Sequence, residues 1–272
     1  MREKFMAAAI QMHAGSEKPA NLATAERLVR TAAQRGAALI VLPEMFNCWT
    51  NHEGLVRAAE PIPGPTSEAA AAWARAAGAI LVAGSLAERA ALPQHAYNTS
   101  LVFGPDGALL AKYRKQHLFD IAWPGAVAVR ESDSFLRGET AAATSTELGV
   151  IGQAICYDLR FPELFRALAD QQAQIVAIPS AFSRATGAAH WSVLLRARAI
   201  ENQTFVVAAN QCGSGAHAMA TYGHSQIIDP WGEVLATAAE ETEAIVLAEL
   251  DLAQLREIRA RLPALEHRRG GS

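Results

Sequence analysis

Leu39-Ile40-Val41-Leu42-Pro43-Glu44-Met45-Phe46 and Ile175-Val176-Ala177-Ile178-Pro179-Ser180-Ala181-Phe182 follow one pattern: four aliphatic residues, a proline, one polar residue, then an apolar pair ending in Phe. An aliphatic run this short and unbroken reads as a strand covered on both faces. Proline, lacking an N–H, closes each run. A pattern met once in each half predicts two similar halves, each built around such a strand.

The surroundings of each copy agree. In the first half, residues 5–12 read as a buried strand. Residues 21–35 read as an amphipathic helix with Leu22, Ala25, Leu28, Val29 and Ala32 on one face and Gly36 placed to cap it. The strand 38–42 follows, then a helix over about 67–77 with Thr66 as N-cap and Glu68 in its first turn. A strand over 79–84 precedes a hairpin, 100–103 with 108–113, turned by Gly104-Pro105-Asp106-Gly107. The second half repeats the order: strand 148–156, helix 162–169, strand 173–178, helix 189–201, strand 204–210, and a hairpin at Asp229-Pro230-Trp231-Gly232. The expected class is α/β, a four-layer αββα sandwich of two pseudo-equivalent halves with sheets face to face and helices outside. No linker-like stretch divides it, so residues 1–272 read as a single domain with a core of about 5–262 and a tail over 263–272.

Composition narrows the partners. With 272 residues, 51% hydrophobic and 19% charged, the chain can bury a large core. A net charge of −3 without a basic block argues against nucleic acid and anionic membrane. No signal-peptide core is read at the N-terminus, and the alanine-rich stretch 69–87 is broken by Arg75 and Gly78, so no membrane span is expected. Three cysteines at irregular spacing (Cys48, Cys156, Cys212) argue for a reducing, cytoplasmic setting.

Reactive groups in α/β arrangements gather at the carboxyl ends of strands. Glu44, Lys115 and Cys156 all stand at such ends. Each alone has an ordinary reading: a loop carboxylate, a solvated lysine, a buried small hydrophobe. Together they meet the needs of acyl transfer from an amide. A thiol is a weak nucleophile until deprotonated, and Glu44 in a poorly solvated pocket can take the proton. Attack places negative charge on the carbonyl oxygen, where Lys115 and the N–H of Tyr157 would stabilise it, at about 3 kcal/mol per donor.

Leu42-Pro43-Glu44, Tyr113-Arg114-Lys115-Gln116-His117-Leu118-Phe119 and Ile155-Cys156-Tyr157-Asp158-Leu159-Arg160-Phe161-Pro162-Glu163 resemble, in order, the three signature segments of the nitrilase (carbon–nitrogen hydrolase) superfamily. The resemblance extends from the first strand to about Arg268. It implies the αββα sandwich, commonly a homodimer joined through helices beside the sites, and the roles of Glu44 as base, Lys115 as electrostatic catalyst and Cys156 as nucleophile. Arg130-Glu131-Ser132 resembles the segment carrying a second glutamate in many members, which makes Glu131 a fourth catalytic residue. A thiolate nucleophile needs no Lewis acid, so no metal and no cofactor are expected.

Pro179-Ser180-Ala181-Phe182, Gly187-Ala188-Ala189-His190-Trp191, Leu194 to Glu201, and Tyr222-Gly223-His224-Ser225 with Asp229-Pro230-Trp231-Gly232 resemble the small-amidase branch, which holds deaminated glutathione amidases and ω-amidases. Ala209-Asn210-Gln211-Cys212-Gly213 leans towards the first. Substrates of the branch carry a carboxylate, so a cation besides Lys115 is expected in the pocket. Arg160 is the candidate, a structural ion pair being its ordinary alternative, and Ala181 and Phe182 are expected to line the pocket. His190, Trp191, Arg196 and Arg198 read as structural anchors. The competing classes are a metal hydrolase using Cys212, His217 and His224, a spacing too loose for a zinc site, and a silent scaffold on the same fold.

Overall fold

In the strand Ala37–Val41, Leu39 and Val41 face one way and Ile40 the other, and all three are fully buried. The same alternation splits Ile175–Ser180: Ile175 and Ala177 face the side opposite to Val176 and Ile178. Leu39, Val41, Ile175 and Ala177 share one apolar layer with Ala7, Ala9, Phe205 and Val207, the layer between two sheets. A computed structural model describes residues 2–122, 128–213, 220–239 and 241–269.

The first sheet runs Ala244–Asp251, Lys4–Gln11, Ala37–Val41, Ile80–Val82, Ala96–Phe103, Leu86–Arg89. Leu109–Arg114 and Phe135–Leu136 also pair with Ala96–Phe103. The second runs Ala142–Thr146, Gly149–Gln153, Ile175–Ser180, Phe205–Asn210, Gln226–Ile228, Val234–Thr237. Read across, each sheet has the same directions: antiparallel, parallel, parallel, antiparallel, antiparallel. The two aliphatic runs occupy the same place in their sheets, so the pseudo-equivalence extends to strand order.

Helices cover the outer faces. α1 (Lys18–Gln34) presents Ala25, Leu28, Val29 and Ala32 to Ile10, Ile40 and Leu42. Beyond α2 (His52–Arg57), α3 (Pro65–Ala77) adds Ala70, Trp73 and Ala74 to that face. On the other sheet, α4 (Pro162–Asp170) and α5 (Arg184–Asn202) bury Leu164, Phe165, Leu168, Trp191, Leu195 and Ala199. Each such large side chain taken fully out of water contributes about 1.5–3 kcal/mol before entropy is counted. The four layers are therefore helix, sheet, sheet, helix. α6 (Leu252–Arg261) seats Leu252 and Leu255 in the layer between the sheets.

Several boundaries differ from expectation. α3 begins at Pro65 with Gly64 as its N-cap, and Thr66 lies inside the helix. Pro65 moves the start forward because its missing N–H costs nothing in the first turn, and the Glu60 carboxylate accepts the free N–H of Thr66 at 2.7 Å. α5 starts at Arg184, capped by the Ser183 hydroxyl accepting from Ala185 N at 3.2 Å. Gly187, before the expected helix start at 189, lies inside α5 as a packing site, where an added Cβ would lie 2.2 Å from Tyr222 Cγ. The strand expected over 148–156 ends at Gln153, and Cys156 opens a 3-10 turn, Cys156–Arg160. Also unforeseen were α2, the edge strands Leu86–Arg89 and Ala142–Thr146, and the strand Ala244–Asp251. The last pairs with the first strand residue for residue, from Lys4↔Asp251 to Gln11↔Ala244.

Candidate active site

Four groups expected to act together, three of them just beyond the ends of strands, converge on one point. Glu44 lies just beyond Ala37–Val41, Lys115 follows Leu109–Arg114, Cys156 follows Gly149–Gln153, and Glu131 opens a short turn, Glu131–Asp133. All are buried: Glu44 4% exposed, Lys115 2%, Glu131 5%, Cys156 9%. The reading of Lys115 as a solvated surface charge is excluded by that figure.

Lys115 Nζ donates to Glu44 Oε1 at 2.9 Å and to Glu131 Oε2 at 2.9 Å and Oε1 at 3.2 Å. Asn98 Nδ2 donates to the same two carboxylates, at 2.8 Å to Glu44 Oε1 and 3.2 Å to Glu131 Oε1. The other Glu44 oxygen accepts the backbone N–H of Ala181 at 2.8 Å, and Glu131 Oε2 accepts that of Phe119 at 2.6 Å. Glu44 and Ala181 belong to the two equivalent aliphatic segments, so the pseudo-symmetric corners of the two sheets meet at this point.

Burial pushes the Cys156 thiol well above its ordinary range, the Glu44 charge adds to the rise, and Lys115 with the Ala181 N–H opposes it. Cys156 is therefore a neutral thiol at rest, facing a carboxylate. Burial alone would discharge Lys115, but the adjacent Glu131 and Glu44 carboxylates outweigh it and raise its pKa well above the usual value. The ammonium is held charged.

Cys156 has φ 45°, the left-handed region that a side chain occupies only when its surroundings enforce it. Asp158 does the enforcing. Its fully buried carboxylate accepts from Ile155 N at 2.9 Å, His117 N at 3.0 Å, His117 Nδ1 at 2.7 Å and Tyr113 OH at 2.7 Å. The turn that presents the thiol is thus tied to the segment carrying Lys115. That segment is fixed again by Glu88, which binds Arg114 at 2.7 and 2.8 Å, Lys112 at 3.0 Å and Thr99 at 2.7 Å. Burial favours the neutral form of Glu88, yet these donors pull its carboxyl down to about 2.

Glu44, Lys115, Glu131, Cys156, Tyr157, Arg160, Ala181 and Phe182 all line one cleft, with about 80 Å³ of free space. One water needs roughly 10–15 Å³ of such space, so the cleft is on the scale of a small molecule. Arg160 forms no ion pair with a carboxylate among the described residues. Its guanidinium donates to Thr186 Oγ1 at 3.2 Å, meets His190 Nδ1 at 3.1 Å, and lies over the rings of Phe182 and Tyr157. Trp191, Arg196 and Arg198 are anchors as expected, bound to the carbonyls of His224, Gly232 and Leu159. His190 differs, since it touches the cleft through Arg160.

Asn98, Trp49, His52, Phe119, Phe135 and Thr186 also line the cleft and were not foreseen. Asn98 precedes the strand expected over 100–103, and only the structure extends that strand back to Ala96 and places Asn98 within it. Cys212, His217 and His224 have no support as a metal site. His217 lies outside the described residues, and among the described residues no three His, Cys, Asp or Glu side chains are grouped to hold a metal.

With this geometry in hand, comparison with known proteins decides the family. Residues 6–260 match the carbon–nitrogen hydrolase model. The chain belongs to the carbon–nitrogen hydrolase family. It is 40% identical to omega-amidase NIT2 of Danio rerio over 98% of this chain and 95% of that one. It is 43% identical to deaminated glutathione amidase of Bos taurus over 97% of this chain and 82% of that one. The crystal structure of the C. elegans NitFhit protein superposes with a TM-score of 0.91 at 36% identity, over 98% of this chain. The present chain spans 65% of that protein's length. As a carbon–nitrogen hydrolase with amidase relatives across nearly its full length, the protein is a hydrolase of carbon–nitrogen bonds other than peptide bonds, an amidase. The silent-scaffold reading is thereby set aside.

Proposed function

We propose that this amidase cleaves a small carboxylate-bearing ω-amide through a thioester on Cys156, releasing ammonia. The observation that carries the reading is the buried Lys115 ammonium shared by two carboxylates beside a neutral thiol in one cleft. Glu44 takes the Cys156 proton as sulfur attacks the amide carbon. The oxyanion forms against Lys115 Nζ and the Tyr157 N–H. On collapse the C–N bond breaks, Glu44 returns its proton to nitrogen, and ammonia leaves. Water, deprotonated by Glu44, then attacks the thioester. The C–S bond breaks, the sulfur recovers the proton, and the acid product departs. Glu131 keeps Lys115 charged and oriented. Base, nucleophile and cation are all side chains, so the scheme uses no metal or cofactor.

Arg160 is the carboxylate anchor in this scheme. It lines the cleft with no acidic partner among the described residues, and a planar guanidinium suits a carboxylate. Deaminated glutathione is our first choice of substrate and 2-oxoglutaramate the alternative. Identities of 43% and 40% to the two kinds of relative do not separate them. The preference rests on the segment 209–213, where Asn210 Oδ1 accepts Phe182 N at 2.8 Å and Gln211 Nε2 donates to Glu44 O at 3.0 Å, both behind the cleft wall. The test is kcat/KM for both ω-amides, an aliphatic amide, an N-carbamoyl amino acid and a nitrile. Deaminated glutathione should lead. A tenfold advantage for 2-oxoglutaramate replaces the first choice, and a lead for the nitrile or carbamoyl compound overturns the substrate class.

We also propose a homodimer in a reducing cytoplasm. The dimer face is α5 with the neighbouring hairpin turn, where Val193, Ile200 and Trp231 are 66%, 48% and 62% exposed. Among the described residues no helix is long and apolar enough to cross a membrane.

A further inference from the structure

Asn98 is 1% exposed, and its side chain is half satisfied. Nδ2 donates to Glu44 Oε1 at 2.8 Å and to Glu131 Oε1 at 3.2 Å, whereas Oδ1 finds no partner among the described residues. Its main chain acts too, for the Asn98 carbonyl accepts the Lys115 N–H at 2.8 Å. One residue of the central strand Ala96–Phe103 therefore holds three of the four site residues.

Asn98 Oδ1 is one of several buried polar atoms without a partner among the described residues, Asn202 Oδ1 and Gln226 Oε1 included, so what singles out Asn98 is where its Nδ2 donates. The feature that a leucine of similar volume could not supply here is a neutral double donor. Two buried carboxylates share one ammonium, so the cluster has one negative charge in excess. A second cation in place of Asn98 would set like charge beside the Lys115 ammonium. A third carboxylate would add repulsion. An amide NH2 spans both glutamates, fixes Glu44 Oε1 and changes no charge.

We infer that Asn98 is a positioning residue for the amidase reaction, holding the Glu44 and Glu131 carboxylates in the arrangement in which Glu44 receives the Cys156 proton. It acts through those two side chains. The inference rests on Glu44 as the base, so a Glu44→Gln variant is measured beside it. The test compares kcat and KM for the best substrate of the panel, and the rate of Cys156 alkylation by iodoacetamide, in wild type, Asn98→Leu and Asn98→Ala. Thermal melting identifies which variants fold, and the alanine variant carries the comparison where the leucine variant does not melt cooperatively. The expected result is a 10- to 100-fold loss in kcat, slower alkylation, and KM within threefold of wild type. A purely structural Asn98 would lower the melting temperature and leave kcat per folded molecule unchanged. A kcat within twofold of wild type, with Glu44→Gln inactive, overturns the inference and leaves the base assignment standing. Turnover retained in Glu44→Gln overturns the base assignment itself, and the inference with it.

Discussion

Cys48, Cys156 and Cys212 are all buried, and they differ in what stands beside them. Burial raises the thiols of Cys48 and Cys212, the latter to about 11, so neither ionises near neutral pH. Burial raises Cys156 as well, but there Glu44 offers an acceptor and Lys115 a cation. The proposed mechanism predicts that Cys156→Ala abolishes turnover while Cys48→Ala and Cys212→Ala keep most of it. Steady-state assay of the three purified variants checks this, and substantial activity in Cys156→Ala would remove the nucleophile assignment. Lys115 carries a structural burden in addition to its proposed chemical one. Removing a cation from between two buried carboxylates costs several kcal/mol, unlike the loss of a surface lysine.

At the scale of elements, the site depends on how its strands end. Glu44 follows Pro43, whose carbonyl lies against Gly84 at the exit of Ile80–Val82. Gly84 has φ +45°, and a Cβ added there would meet Pro43 O at 2.0 Å and Leu42 O at 3.0 Å. Neither atom is the end of a flexible side chain, so the backbone before Glu44 must yield. Gly84→Ala is expected to destabilise the protein by about 2 kcal/mol, from overpacking and a strained backbone. It should also lower kcat by displacing Glu44. Denaturant melts and kinetics on the same sample test both halves. A variant within about 0.5 kcal/mol of wild type and fully active would mean that this contact does not set the position of Glu44.

For the whole molecule, the two sheets share one buried layer, and that layer includes the C-terminal strand and α6 as well as the strands of both halves. The proposed dimer extends the α5 side of the sandwich. Val193 and Ile200 are two turns apart on α5, and the hairpin turn sits against Ile200, whose Cδ1 is 2.5 Å from where a Gly232 Cβ would be. An apolar face of this kind, buried against its own copy, would explain three large side chains left in water. Sedimentation at micromolar concentration should give twice the mass of 29.0 kDa. The double substitution Val193→Glu with Ile200→Glu should give the monomer. A monomeric wild type refutes the assembly.

The sequence by itself determined the layers and the reaction class. Two aliphatic runs closed by proline mark the central strands, because a strand buried on both faces has no freedom to be polar. Glu44, Lys115 and Cys156 were legible because reactive groups follow such strands, and Glu131 through the signature resemblance. Tertiary structure alone decided the rest. Asn98 and Asp158 became visible as organisers only when segments far apart in the chain met, as in the bond between Glu44 and Ala181 N across 137 residues. Ala244–Asp251 carries an apolar face (Ala244, Val246, Ala248, Leu250), yet its place beside the first strand is set by register with that partner, as is the pairing of the short edge strands Leu86–Arg89 and Ala142–Thr146. The 3-10 turn at Cys156 is imposed by the four donors that meet Asp158. Burial and hydrogen-bond partnership belong to neighbours in space, and a linear pattern records only which groups are there to be brought together.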